Sequence, residues 1–303
     1  YYRKHHKCLK LAGLQPKTVD AYSRAIRRIG NYFDCRIDNL TTDQLLDYFH
    51  ELLKNRSWSA VKLDLYGLKF FYSRVLKKTW EDIPLIKPPK TSRIPDILSV
   101  NQIQQLIYST RQLSYRVFFF TAYSLGLRLG EGIRLKTGDI DHVNMRVHIR
   151  DAKGNKDRLV PMSPENTQRC CDYVQVVHLF SDPGDYFFPA PGGQALTQGN
   201  VYKNFRRFLW QARISHGGWG KGPRLHDARH TFAVNCLRRW VMQGKDLAAY
   251  LPILKAYLGH DSFRDTARYL RLTAELYPDI TAKMEQAFGD VVPPTGGNRH
   301  GAD

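Results

Sequence analysis

Val147-His148-Ile149-Arg150-Asp151-Ala152-Lys153-Gly154-Asn155-Lys156-Asp157-Arg158-Leu159-Val160-Pro161-Met162 is the stretch on which the fold turns. Its two ends alternate in the manner of half-buried strands, and Lys153 to Lys156 between them is turn-forming, so it reads as a β-hairpin with lysines at its tip. Around it the spacing is helical. An apolar helix over Tyr115–Leu125 stops at Gly126, the residue type expected just past a helix end, and Ser99 with Gln102 forms a capping box further upstream. After Pro16, residues Val19, Tyr22, Ile26, Ile29 and Phe33 share one helical face, with Arg24, Arg27 and Arg28 turned away from it. Thr41 and Gln44 make a second capping box for a helix through about Lys54. A further helix over Ser59–Lys77 is expected to bury Val61, Leu65, Leu68, Tyr72 and Val75, with Phe70, Phe71 and Tyr72 as core residues rather than base-stacking platforms. The expected fold class is mainly α with a small antiparallel β-sheet.

Pro84, Pro88, Pro89 and Pro95 fall within twelve residues and cannot continue a helix, so they mark an extended tether. Lys87, Lys90 and Arg93 within it would suit a strap along phosphates. The expected division is a helical domain over 1–83, a linker over 84–97, a second domain over 98–292 and a Pro/Gly-rich, disordered tail over 293–303. The formal charge is +18, and it is shared: residues 1–90 hold 18 basic and 9 acidic side chains, the remainder 28 and 19. Two basic lobes point to a polyanion gripped by both, because neutralising phosphates releases counterions. The five cysteines, Cys8, Cys35, Cys170, Cys171 and Cys236, form no CxxC pair and read as reduced, mostly buried thiols. No run of 18 uncharged apolar residues and no secretory leader is visible, so a cytoplasmic or nucleoid-associated protein is expected.

A few polar residues occupy motif-like positions. Arg128 and Glu131 stand in Gly126-Leu127-Arg128-Leu129-Gly130-Glu131, just past a helix stop; Lys153 is at the hairpin tip. His226 and Arg229 open the helix that begins Leu225-His226-Asp227-Ala228-Arg229-His230-Thr231-Phe232-Ala233. His260 follows Leu258-Gly259, and Tyr269 comes nine residues later. Singly, each has a plainer reading: a surface arginine, a structural histidine, a core tyrosine. His226 and His230, four apart, also match a zinc spacing, but the glutamate of HExxH is absent and Arg229 between them repels a cation.

In this order and spacing the pieces GLRxxE, KGNKxRLVP, HxxRHTFA and LGH followed by a tyrosine resemble the catalytic set of the tyrosine recombinase (phage-type integrase) family, across most of the second domain. The helical first domain and its strap are similar to that family's core-binding domain. The resemblance implies a two-domain DNA clamp in which Tyr269 attacks a phosphodiester, giving a 3′-phosphotyrosyl enzyme and a free 5′-hydroxyl without metal, ATP or other cofactor. Arg128 and Arg229 would grip the non-bridging oxygens, with His260 adding a hydrogen bond. His226 would accept or position the Tyr269 proton, and Lys153 would protonate the leaving oxygen, with Lys156 in the same turn as its competitor. Glu131 would brace the arginines rather than touch substrate. Asp227 has two readings, a helix cap or a tuner of His226.

The implied partner is double-stranded DNA with an inverted-repeat core site, bound by a homotetramer across two sites. The amphipathic segment Glu275–Phe288, with Leu276, Ile280, Met284 and Phe288 at helical spacing, would either dock into an adjacent protomer or pack on its own domain. The interval of 31 residues from Arg229 to His260 holds extra material around Val241–Leu254, which would touch DNA or a neighbouring protomer. A type IB topoisomerase, which uses the same kind of residues, and an inactive DNA-binding accessory factor are the rival readings. A mobile-element integrase is the expected task; the choice among integration, excision, inversion and resolution stays open.

Overall fold

The computed structural model describes residues 1–78, 94–151, 156–218 and 221–277. The chain divides into two compact units, Tyr1–Arg93 and Ile94–Asp303. Most of the proline-rich tether, the hairpin tip with Lys153, the segment beyond Tyr277 and the tail lie outside the described residues.

The first unit is helical: α1 (Tyr2–Leu11), α2 (Pro16–Tyr32), α3 (Thr42–Asn55) and α4 (Trp58–Phe70), the last running into a π-helical segment, Phe71–Leu76. Pro16 opens α2 at a position where its missing N–H costs nothing. Thr41 and Gln44 make the reciprocal capping box that the spacing predicts for α3. Ile26 and Ile29 from α2 meet Leu45, Tyr48 and Phe49 from α3 and Val61 and Leu68 from α4 in the interior. Asp64 is buried there, and its carboxylate takes hydrogen bonds from Arg28 Nε at 3.0 Å and from Tyr48 Oη at 3.1 Å. A buried charge has to be paired, and this one pins three helices together. The expected single helix over 59–77 changes register instead: the π turn admits one extra residue, so Phe71 and Tyr72, adjacent in sequence, are both buried.

The second unit contains α5 (Val100–Ser109), α6 (Leu113–Ser124), α7 (Leu129–Arg134), β1 (Ile140–Asp141), β2 (Arg146–Ile149), β3 (Arg158–Pro161), α8 (Pro164–Val177), α9 (Gln198–Gln211), α10 (Leu225–Met242), α11 (Leu247–Leu258) and α12 (Phe263–Leu276). The strands form an antiparallel sheet in the order β1-β2-β3, with Val147 opposite Val160 and Ile149 opposite Arg158. Val147, Ile149 and Val160 turn inward and close one side of the larger core, where α6 contributes Val117, Phe118, Phe119 and Ala122. A second core joins α10, α11 and α12 through Val234, Leu237, Leu251, Leu254, Leu258 and Leu270. The additional residues after Arg229 therefore have a structural place: Val241, Leu247, Leu251 and Leu254 belong to this core.

Gly126 ends α6 at φ +55°, and a Cβ there would lie 2.8 Å from the Leu258 and Phe232 side chains. That close approach lets the chain turn sharply and present Arg128 beside the end of α11. The cysteines are less buried than their composition suggests. Cys170 is inside, Cys35 is exposed, and Cys8, Cys171 and Cys236 are intermediate; all are free thiols.

Candidate active site

Glu131 is the centre from which the site is built. It is the third residue of α7, and its Oε2 accepts the Arg128 backbone N–H at 2.8 Å, an acidic cap on an N-terminus that favours negative charge. Its Oε1 accepts Arg128 Nη1 at 2.8 Å, and Arg158 closes a two-pronged pair on both oxygens at 2.9 Å each. Arg229 Nη1 lies 4.0 Å from Oε2. Burial pushes the Glu131 carboxyl upward, but the Arg158 guanidinium and the Arg128 hydrogen bonds overcome it and hold the group at about 2.

The arginines in turn hold helix ends. Arg229 is 1% exposed, and its Nη1 and Nη2 donate to the Gly126 carbonyl at 2.6 Å and the Leu258 carbonyl at 2.5 Å. Arg128 Nη2 donates to the Gly259 carbonyl at 2.8 Å. The C-termini of α6 and α11 leave carbonyls without intrahelical partners, and the guanidiniums supply them. Gly259 allows this geometry: it sits at φ +65°, and a Cβ would come 3.0 Å from Arg158 Nη1. Burial and the neighbouring Arg128 charge lower Arg229 to about 10, so it stays cationic at neutral pH.

Tyr269 is 2% exposed on α12. Its hydroxyl is 2.9 Å from His230 Nδ1, and its ring stacks on His260 with centroids 5.9 Å apart. His260 Nδ1 meets Thr266 Oγ1 at 2.8 Å, which fixes the imidazole. His226 stands one turn before His230 on α10, edge-to-face with it at 4.7 Å, and opens to solvent. Burial first, then neighbouring charged and titratable groups, depress His260 to about 4 and His230 to about 3; His226, although its edge reaches solvent, is lowered by desolvation of the ring against its neighbours and then by Arg229 and Arg128. Burial raises the Tyr269 phenol while Arg229 pulls it down, so the proton stays on the oxygen in the free protein.

Arg128, Glu131, Arg229, His260 and Tyr269 thus form one contiguous cluster, to which His226 connects through His230. Lys153 lies outside the described residues. Lys156, its competitor, pairs with Asp261 at 3.0 Å on the surface. Asp227 acts as a cap: its Oδ2 accepts the Arg224 N–H at 2.9 Å at the start of α10. Two contributors are not singled out by the sequence. Arg158 lies inside the KGNKxRLVP motif, which is the signal that could have found it, and His230 reads from the sequence only as a zinc partner of His226. Among the described residues, no group of three or more His, Cys, Asp or Glu side chains is arranged to hold a metal ion.

A helical lobe joined to an α-rich lobe with a three-stranded sheet, and a tyrosine set among arginines and histidines, define the class of tyrosine recombinases. Known proteins agree with that reading. The phage integrase family model matches residues 96–275, more than half of the chain, and the model of the phage integrase N-terminal SAM-like domain matches residues 1–82. A Sinorhizobium fredii protein named as a putative integrase/recombinase, y4rB, is 32% identical over 217 residues, spanning 67% of this chain and 69% of the relative. The tyrosine recombinase XerC of Chlamydia caviae is 28% identical over 249 residues, 78% of this chain and 75% of its own. A lambda integrase tetramer solved on a Holliday junction shares the fold, with a TM-score of 0.66 at 17% identity over 88% of this chain and 75% of that one. The chain belongs to the phage integrase family and is a tyrosine recombinase, a DNA strand-transferring enzyme of site-specific recombination. No helix among the described residues is long and apolar enough to cross a membrane.

Proposed function

We propose that Tyr269 is the covalent nucleophile, cutting DNA to a 3′-phosphotyrosyl link and a free 5′-hydroxyl and rejoining it to a partner strand's 5′-hydroxyl. The observation that carries this reading is the Tyr269 hydroxyl, buried and hydrogen-bonded inside a cluster of two arginines and three histidines. Arg128 and Arg229 supply positive charge where the pentacoordinate phosphorane develops, and losing one such preorganised donor costs on the order of 10²–10³ in rate. His260 and His226 complete the cradle, Lys153 protonates the leaving oxygen, and Glu131 braces the arginines. The phosphotyrosine conserves the bond energy, so rejoining requires no ATP.

The substrate is double-stranded DNA with an inverted-repeat core site, supported by the +18 charge spread over both lobes. Residues 1–83 act as the core-binding domain, 84–97 as the strap and 98–292 as the catalytic domain. A homotetramer on two sites, coupled through the segment after α12, is the working assembly, and mobile-element integration is the task. The test is to incubate the full chain with the DNA flanking its gene and look for adducts that survive detergent. The wild type forms them and Tyr269→Phe does not, while the variant binds the same DNA within a few-fold. Equal adduct formation by the variant refutes the assignment.

A further inference from the structure

We infer that His230 is the catalytic partner of the nucleophile, taking the Tyr269 phenolic proton on its Nδ1 during strand cleavage and returning it during rejoining. The inference rests on Tyr269 being the nucleophile, and it separates two histidines that share a motif. His226 and His230 lie on one face of α10, a turn apart. It is His230 Nδ1 that sits 2.9 Å from the tyrosine oxygen, whereas His226 packs edge-on at 89° against the His230 ring.

The hydrogen bond fixes the chemistry. A phenol at its ordinary protonation state donates, so Nδ1 must be the unprotonated nitrogen and the proton of the neutral ring resides on Nε2. The ring is kept neutral by burial and by the guanidiniums that face it, Arg268 from α12 and Arg229 from its own helix, while His226 and His260 beside it would oppose a further charge. An acceptor is therefore already in place at hydrogen-bond distance, the first requirement of a general base. A phosphodiester seated between Arg128 and Arg229 brings negative charge that offsets theirs and makes His230 more basic when the proton must move.

The step balances. As the Tyr269 Oη–P bond forms, the phenolic proton passes to Nδ1, leaving an imidazolium. As the P–O5′ bond breaks, the 5′-oxygen takes a proton from Lys153. In rejoining, the incoming 5′-hydroxyl gives its proton back to that lysine, and His230 protonates the departing phenolate.

The experiment uses the full chain and the duplex on which the wild type forms its covalent adduct. His230→Asn keeps a hydrogen-bond acceptor near the hydroxyl but no base, so single-turnover adduct formation is expected to fall by about 10²–10⁴-fold with DNA affinity unchanged. His226→Asn is the parallel control and should fall less. A structural role is separated by an activated strand carrying a 3′-p-nitrophenyl phosphate, whose leaving group departs without protonation. In a Tyr269→Phe background, rejoining of that strand to a 5′-hydroxyl should proceed at the same rate, within a few-fold, whether His230 is kept or is also replaced by asparagine. A comparable 10²-fold drop there means that His230 shapes the phosphate pocket and overturns the inference, as does normal adduct formation by His230→Asn. Absence of any wild-type adduct would instead remove the Tyr269 reading itself.

Discussion

Replacing Glu131 by glutamine removes one charge and almost no volume, and glutamine mimics the protonated acid. The cost follows from how far the fold displaces that protonation. The carboxyl moves from an ordinary 4.5 to about 2, and at 1.36 kcal/mol for each pKa unit this corresponds to about 3 kcal/mol at neutral pH. An independent route agrees: its side chain is 2% exposed and bridges Arg128 and Arg158, and breaking a buried pair from one side costs about 3–5 kcal/mol. For a unit of this size that is a fall of roughly 6–12 °C in Tm. The sign of the pH dependence is also determined. A depressed carboxyl stabilises fully above its unfolded value and loses that stabilisation as pH falls through the folded one. The deficit of Glu131→Gln should therefore shrink from about 3 kcal/mol at pH 7 to about 2 kcal/mol at pH 3.5. Urea or thermal unfolding of both proteins at the two pH values measures it. An unchanged Tm at pH 7, or a deficit that does not narrow in acid, would refute the idea that this carboxylate holds the arginine cluster.

Lys156→Ala should leave stability within about 1 kcal/mol of the wild type, because its pair with Asp261 is solvent-exposed, and should slow strand cleavage only a few-fold. Lys153→Ala should slow cleavage about 10²–10⁴-fold and be rescued by a 5′-bridging phosphorothiolate, whose thiolate leaves unprotonated; equal losses from the two lysines, or no rescue, would reverse that assignment. Gly126→Ala places a methyl 2.8 Å from Leu258 and Phe232 at a positive φ, so about 1–3 kcal/mol should be lost in thermal unfolding, and a wild-type Tm would show that the turn relaxes freely.

What is legible in the sequence is what depends on near neighbours. The capping boxes at Thr41 and Ser99 and the stop at Gly126 each need only residues a few positions apart, and both boxes have their expected partners; the strands flanking the turn pair antiparallel as a hairpin should. The helix α1 gives no such signal because it buries only His5 and Leu9, too few positions to carry a period. The π turn is equally silent because an extra residue in a turn has no local signature, although it decides that Phe71 faces inward. The active site divides in the same way. Motif order identifies which side chains converge, because order survives without coordinates. It does not distinguish residues that are equivalent along one helix face. His226 and His230 differ by one turn, yet it is the second that meets Tyr269, 39 positions away, in both a hydrogen bond and a ring contact. Arg158 is likewise an ordinary strand residue until β3 is set beside α7 and the end of α11, where it grips both Glu131 oxygens and the Tyr257 carbonyl. The resemblance of its motifs to a known family is therefore enough to suggest a recombinase, whereas choosing between His226 and His230 as the partner of Tyr269 depends on which turn of α10 the tyrosine packs against.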